Sequence, residues 1–224
     1  MINEGKLQTG LVEAFRKPLE FSCTQVGGVR SSKRTDILNE VILDFMLEQL
    51  GPDWTGNTEH KIPCARATQQ DPKKKFSIDV VLTNKQTNRR VYILLKSIES
   101  SYNKNRANFA NCTIGETERI YGYCEMHEGQ REQRQNDVTL FLTLLPVLCP
   151  NGDRMETTRA EKPSTRTLRL INPNVHQICA MVDVDCADGK GKQALLDTLT
   201  GKITNIDEVA NQFREFFNNV KQIL

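Results

Sequence analysis

The most apolar stretch of the chain, Val138–Cys149, constrains the fold more than any other feature. It is rich in leucine, valine and threonine, it stops at Pro150, and it has no polar face to turn toward water. Val91–Leu95 is a second uninterrupted apolar run. A strand with one wet face alternates polar and apolar side chains, whereas these two read as strands covered on both sides. Covering both sides of a sheet takes helices, so the expected class is α/β, a mixed central sheet flanked by helices.

The remaining elements are consistent with that architecture. Leu38, Val41, Ile42 and Phe45 recur at helical spacing, which predicts a helix over Thr35–Leu50. Thr35 or Asp36 is suited to open it, and Gly51-Pro52 to close it. Lys61–Ala67 reads as a short strand. Phe76–Thr83 alternates, and Asn84–Asn88 makes a hairpin-like link to Arg89–Lys96. Asn103 to Ile120 reads as a helix, Thr165–Ile171 and Gln177–Val184 as strands, and the tail from Asp207 as an amphipathic helix. Residues 1–33 carry no clear pattern, with Gly27-Gly28 and Ser31-Ser32 marking a flexible stretch. The expectation is one domain over 1–224, with a core at about 35–148 and further strands and C-terminal helices over 149–224.

Charge is balanced, with 30 basic and 28 acidic residues, so net charge selects no partner. Its distribution is uneven: Lys73 to Lys75, Arg89 with Arg90, and Lys104 with Arg106 form local basic patches able to grip phosphates. Seven scattered cysteines include no CxxC pair, which predicts a reduced, cytoplasmic protein. No apolar run is long enough to span a membrane. Asp188–Lys192 lacks the spacing of a phosphate-binding loop, and the three histidines stand too far apart in sequence to suggest a nucleophile–histidine triad.

The chemistry-bearing pair is Asp79 and Lys96, on the two predicted hairpin strands. A carboxylate and an ammonium at one point can hold a divalent cation beside a phosphate, and Mg2+ favours carboxylate oxygen. With these residues in that order, Ser77-Ile78-Asp79 followed by Tyr92–Lys96, the chain resembles the PD-(D/E)xK nucleases, especially type II restriction endonucleases. The resemblance covers roughly residues 35–148 and implies a restriction-endonuclease-like core. It also implies hydrolysis of double-stranded DNA by metal-activated water, Mg2+ as cofactor, and a homodimer.

Two positions depart from the family pattern. Leu94 stands where an acid usually precedes the lysine, and Ile78 stands where a proline precedes the first acid. Some restriction enzymes of the family take the displaced acid from the helix after the lysine strand. That makes Glu116 the first candidate and Glu118 the second, with Asp79 and Glu116 the expected metal ligands. Glu40 resembles the family's acidic position on the first core helix. The polar segment after Lys96 corresponds to a loop that runs into DNA, so Asn103, Lys104, Asn105 and Arg106 are the expected DNA contacts. Two other readings remain open: a nucleic-acid-binding protein on this fold without catalysis, and an interaction protein in which Asp79 and Lys96 merely pair across the sheet.

Overall fold

The structure, a computed structural model, describes residues 2–24, 35–63, 75–97, 115–117, 119–120, 136–148, 174–186 and 192–224. Six strands form one open mixed sheet whose spatial order follows the sequence: β1 (Trp54–Pro63), β2 (Lys75–Asn84), β3 (Arg90–Ser97), β4 (Val138–Leu148), β5 (Val175–Cys186) and β6 (Leu199–Ile203). β1, β2 and β3 run antiparallel to one another, β3, β4 and β5 run parallel, and β6 returns antiparallel. The two uninterrupted apolar runs are β3 and β4, side by side in the middle of the sheet.

One face of the sheet carries Val80, Leu82, Val91, Ile93, Leu95, Leu140, Leu142 and Val182. Helices α1 (Glu4–Thr24), α2 (Asp36–Leu50) and α4 (Ile206–Ile223) cover it, and a short α3 (Lys192–Thr198) packs beside α1. α1 was not anticipated from the pattern. Its core residues Leu7, Leu11 and Phe15 lie four apart and so share one helical face, but Pro18 sits inside the same helix. α4 buries Val209, Phe213, Phe217 and Val220, and Phe217 stacks against Phe45 of α2 with ring centroids 5.7 Å apart.

The opposite face holds a smaller apolar cluster: Ile78, Val81, Tyr92, Leu94, Ile120, Phe141 and Val175. Ile120 belongs to a helical segment of which residues 115–117 and 119–120 are described. At the start of β3, Asp137 ties neighbouring strands together. Its Oδ1 accepts the Arg90 N–H at 2.7 Å and its Oδ2 accepts the Tyr92 hydroxyl at 3.2 Å. No helix among the described residues is long and apolar enough to cross a membrane.

Some boundaries differ from the sequence expectation. β1 begins at Trp54 rather than Lys61, because the turn after α2 leads straight into pairing with the full length of β2. Its polar composition hides a strand that is held by ladder hydrogen bonds and not by an apolar stripe. Thr35 occupies the first position before α2 but makes no side-chain capping bond. β6 and α3 were not anticipated, and Thr165–Ile171 lies outside the described residues.

β1 and α2 approach closely at Gly56. A Cβ there would meet Leu43 Cδ1 at 2.6 Å and the Val81 carbonyl oxygen at 2.8 Å. The second atom is backbone and cannot step aside. Gly56→Ala is expected to cost about 1–3 kcal/mol. In urea unfolding the midpoint should fall with an unchanged slope; a wild-type midpoint would mean that β1 is free to shift away from α2.

Candidate active site

The site begins where β2 and β3 part. Their ladder runs from Thr83↔Arg90 to Val80↔Ile93 and goes no further, although β2 continues along β1 and β3 continues along β4. Asp79 is the first residue past the last pair. Its Oδ2 accepts the Leu95 N–H at 2.7 Å, so a side chain takes the hydrogen bond that a strand carbonyl would otherwise receive. Oδ1 is left without a hydrogen bond from the described residues.

Lys96 follows immediately on β3. It alternates onto the face of Tyr92 and Leu94, and its ammonium acts on the Asp79 carboxylate. Lys96 Nζ lies 2.5 Å from Glu116 Oε1, twenty positions along the chain. Leu94 explains how that glutamate arrives. It is 1% exposed and shares the apolar cluster with Ile120. Ile120 lies one helical turn after Glu116 and so on the same side of its segment. Leu94 therefore helps seat the element that carries an acid to Lys96.

The electrostatics fit a cation site. Burial raises the Asp79 pKa from its ordinary 3.8 to about 6. The Leu95 N–H and the Lys96 ammonium oppose that rise, while Glu116 and Glu59 add to it. Asp79 as a residue keeps some solvent contact, yet burial of its carboxyl is the largest influence on its pKa. Glu116 is 8% exposed, and its Oε2 is buried without a hydrogen-bond partner among the described residues. Among the described residues, no three acidic, histidine or cysteine side chains stand together as a ready-made metal shell. Mg2+ does not require one: it keeps several waters and binds through one or two carboxylates plus substrate phosphate. Asp79 and Glu116 fit that requirement.

At the level of Lys96 the sheet turns polar. Thr143 of β4 and Cys179 of β5 are in register with it, and the Gln177 amide donates to Thr143 Oγ1 at 3.4 Å. This row lies near the C-terminal end of β3, midway along β4 and in the first half of β5.

The sequence-derived residues divide into three groups. Asp79, Lys96 and Glu116 come together. Glu40 does not join them: it is exposed on α2, which covers the opposite face of the sheet, and it is not among the charges acting on Asp79. Glu118, Asn103, Lys104, Asn105 and Arg106 lie outside the described residues. Glu59 of β1 was missed. Its signal was weak, a lone acid in the polar stretch Trp54–His60, before the strand that had been expected there.

Comparison with protein-family models, curated proteins and solved structures finds no match at a significant level.

The raised Asp79 pKa has a consequence for stability. Below pH 3.8 the carboxyl is protonated in both folded and unfolded chains and carries no penalty. Above pH 6 it is ionised in both, and the folded chain bears the full cost of the buried charge, up to about 3 kcal/mol. Asp79→Asn keeps an acceptor for the Leu95 N–H and removes the charge. In metal-free buffer this variant should be more stable than wild type at pH 8, and its advantage should fade toward pH 4. Parallel stability curves for the two proteins would show that burial does not destabilise the ionised Asp79.

Proposed function

We propose that the chain is a divalent-cation-dependent endonuclease that cuts double-stranded DNA at specific sequences, of the PD-(D/E)xK restriction type. The observation that carries this reading is the meeting of Lys96 with Glu116 beside Asp79. An acid is missing from β3 at Leu94, and another arrives from the helical segment after it. A cross-strand ion pair of purely structural value would not need a second acid carried in over an intervening crossover.

Each side chain has a distinct role in this proposal. Asp79 offers Oδ1 to the cation while Oδ2 stays fixed by the Leu95 N–H. Glu116 offers its unpartnered Oε2 and holds Lys96 through Oε1. Lys96 keeps donors beyond the one given to Glu116, for an attacking water and a phosphate oxygen. A bound Mg2+ would neutralise phosphate charge and lower the pKa of a nearby water. The water oxygen forms a new bond to phosphorus, the bridging phosphorus–oxygen bond breaks, and no covalent protein intermediate is involved. A homodimer would offer one such site to each strand of a palindrome.

The test is incubation with mixed genomic DNA and MgCl2. Discrete fragments are expected, from an activity that weakens as salt rises. Asp79→Ala, Lys96→Ala and Glu116→Gln should each slow cutting roughly hundredfold or more, while circular dichroism reports a folded chain. Cutting at the wild-type rate by any of the three removes that residue from the mechanism. Tight DNA binding with no cutting under any divalent cation would leave a binding protein in place of an enzyme.

A further inference from the structure

A cavity of about 800 Å³ lies at the far end of β3 from Lys96. Arg89, the residue before β3, lines it, as do Asn136 and Asn174 from just before β4 and β5. Lys96 follows Arg89 by seven positions of extended chain, a distance of roughly 20 Å. The cavity is therefore separate from the candidate nuclease site.

Its walls are tied to one another. The link between β2 and β3 is fastened to the turn between α2 and β1: Lys85 Nζ donates to the Pro52 carbonyl at 2.8 Å, and the Gln86 amide donates to Asp53 Oδ1 at 3.0 Å. Arg89 spans to the end of α4. Its Nε donates to the Asn136 carbonyl and its Nη1 to Leu224 O, each at 2.6 Å. The volume lies within the range of about 300–1,000 Å³ typical of small-molecule sites, which are mostly pre-formed in this way.

The lining is rich in donors. No acidic side chain is among the described residues that form it. Arg89 spends two of its five N–H groups on the two bonds above and keeps three. Lys221 lines the cavity from α4, and its ammonium makes no hydrogen bond or ion pair with the described residues. Asn84 Oδ1 accepts the Gln86 and Thr87 N–H groups at 3.0 and 2.9 Å, which turns its NH2 group away from them as a further donor. Counting Leu224 as a carboxylate still leaves the lining one positive charge in excess. The same cavity is lined by the half-buried Trp54 and by Ile223, a large hydrophobic residue left 42% exposed.

We infer that this cavity binds a small anion carrying a planar ring, of the size and chemistry of a nucleoside monophosphate. The phosphate takes the free donors of Arg89, Lys221 and Asn84, because a guanidinium held in place presents paired N–H groups to phosphate oxygens. The ring lies against Trp54, whose indole stacks on any base. Inorganic phosphate alone would fill only a small part of the space and leave Trp54 and Ile223 uncovered. The inference goes beyond the nuclease reading and does not rest on it.

Trp54 is the one tryptophan of the chain, so its fluorescence reports on this cavity. The experiment titrates the full chain, with no tag at its C-terminus, with adenosine monophosphate at neutral pH in buffer containing EDTA. A saturable change in Trp54 emission is expected, with matching heat in calorimetric titration. Adenosine, and inorganic phosphate read by competition, should each bind at least about tenfold more weakly. Lys221→Gln should weaken adenosine monophosphate at least about tenfold, and Lys221→Arg should recover most of the loss. Lys202→Gln, the same charge change at an exposed position on β6, should bind as wild type, and so should Asp79→Asn. Absence of binding by wild type in both measurements, or wild-type affinity in Lys221→Gln, overturns the inference. Equal affinity for adenosine overturns the anion subsite, and equal affinity for inorganic phosphate overturns the ring subsite. Loss of binding in Asp79→Asn would place the ligand at the other end of β3 and overturn the assignment to this cavity.

Discussion

The Leu95 N–H is shared between two demands, the β-ladder and the Asp79 carboxylate, and the carboxylate wins. Much of the site's geometry follows. A charged acceptor makes a stronger hydrogen bond than a neutral carbonyl, so the ladder can end early without leaving a buried donor unsatisfied. Once it ends, β2 follows β1 and β3 follows β4. Asp79 sits at the parting, and Lys96 is one residue beyond Leu95. The same hydrogen bond that fixes the carboxylate therefore marks the point where the two strands separate.

Packing on the two faces of the sheet serves different ends. The face under α1, α2 and α4 is continuous and apolar, and it fixes the strands as a rigid plate. The other face is apolar only near the starts of β3 and β4, where Tyr92, Leu94 and Phe141 sit. Farther along it changes to Lys96 and Thr143, with Gln177 alongside. Leu94 lies at this boundary. It contributes to core packing, through the cluster that includes Ile120, and to the site, because that helical segment carries Glu116. An acid at position 94 would need its own partners in a place now 1% exposed. Glu116, carried by that segment, delivers a carboxylate to Lys96 while the apolar cluster stays intact.

What could be read from the sequence follows how local each signal is. β3 and β4 were legible because burial on both faces forces uninterrupted apolar runs, and α4 because its aromatic residues recur at helical spacing. Asp79 and Lys96 were legible because strand alternation is a short-range rule. Glu116 was reached only through the gap at Leu94 combined with a family resemblance, since no local pattern links residues 96 and 116. α1 was obscured by Pro18, although Leu7, Leu11 and Phe15 carry the spacing. Glu59 had no signal of its own. A left-handed glutamate in a polar edge strand is imposed by tertiary context, and single-residue propensity does not anticipate it.

Asp79 and Glu59 also show why fold and site pull in opposite directions here. The core alone would favour a neutral residue at 79, because burial makes its charge unfavourable at neutral pH. It would favour glycine at 59, because only glycine adopts that backbone freely. The chain instead places acids at both positions and sets them opposite each other across one gap in a ladder. Neither acid gains from the other, since like charges at such a distance repel. The cation that offsets this at Asp79 is Lys96, which also holds Glu116. The strain of β1 at Glu59 and the buried charge of β2 at Asp79 are thus two costs that the fold carries at a single gap in one ladder.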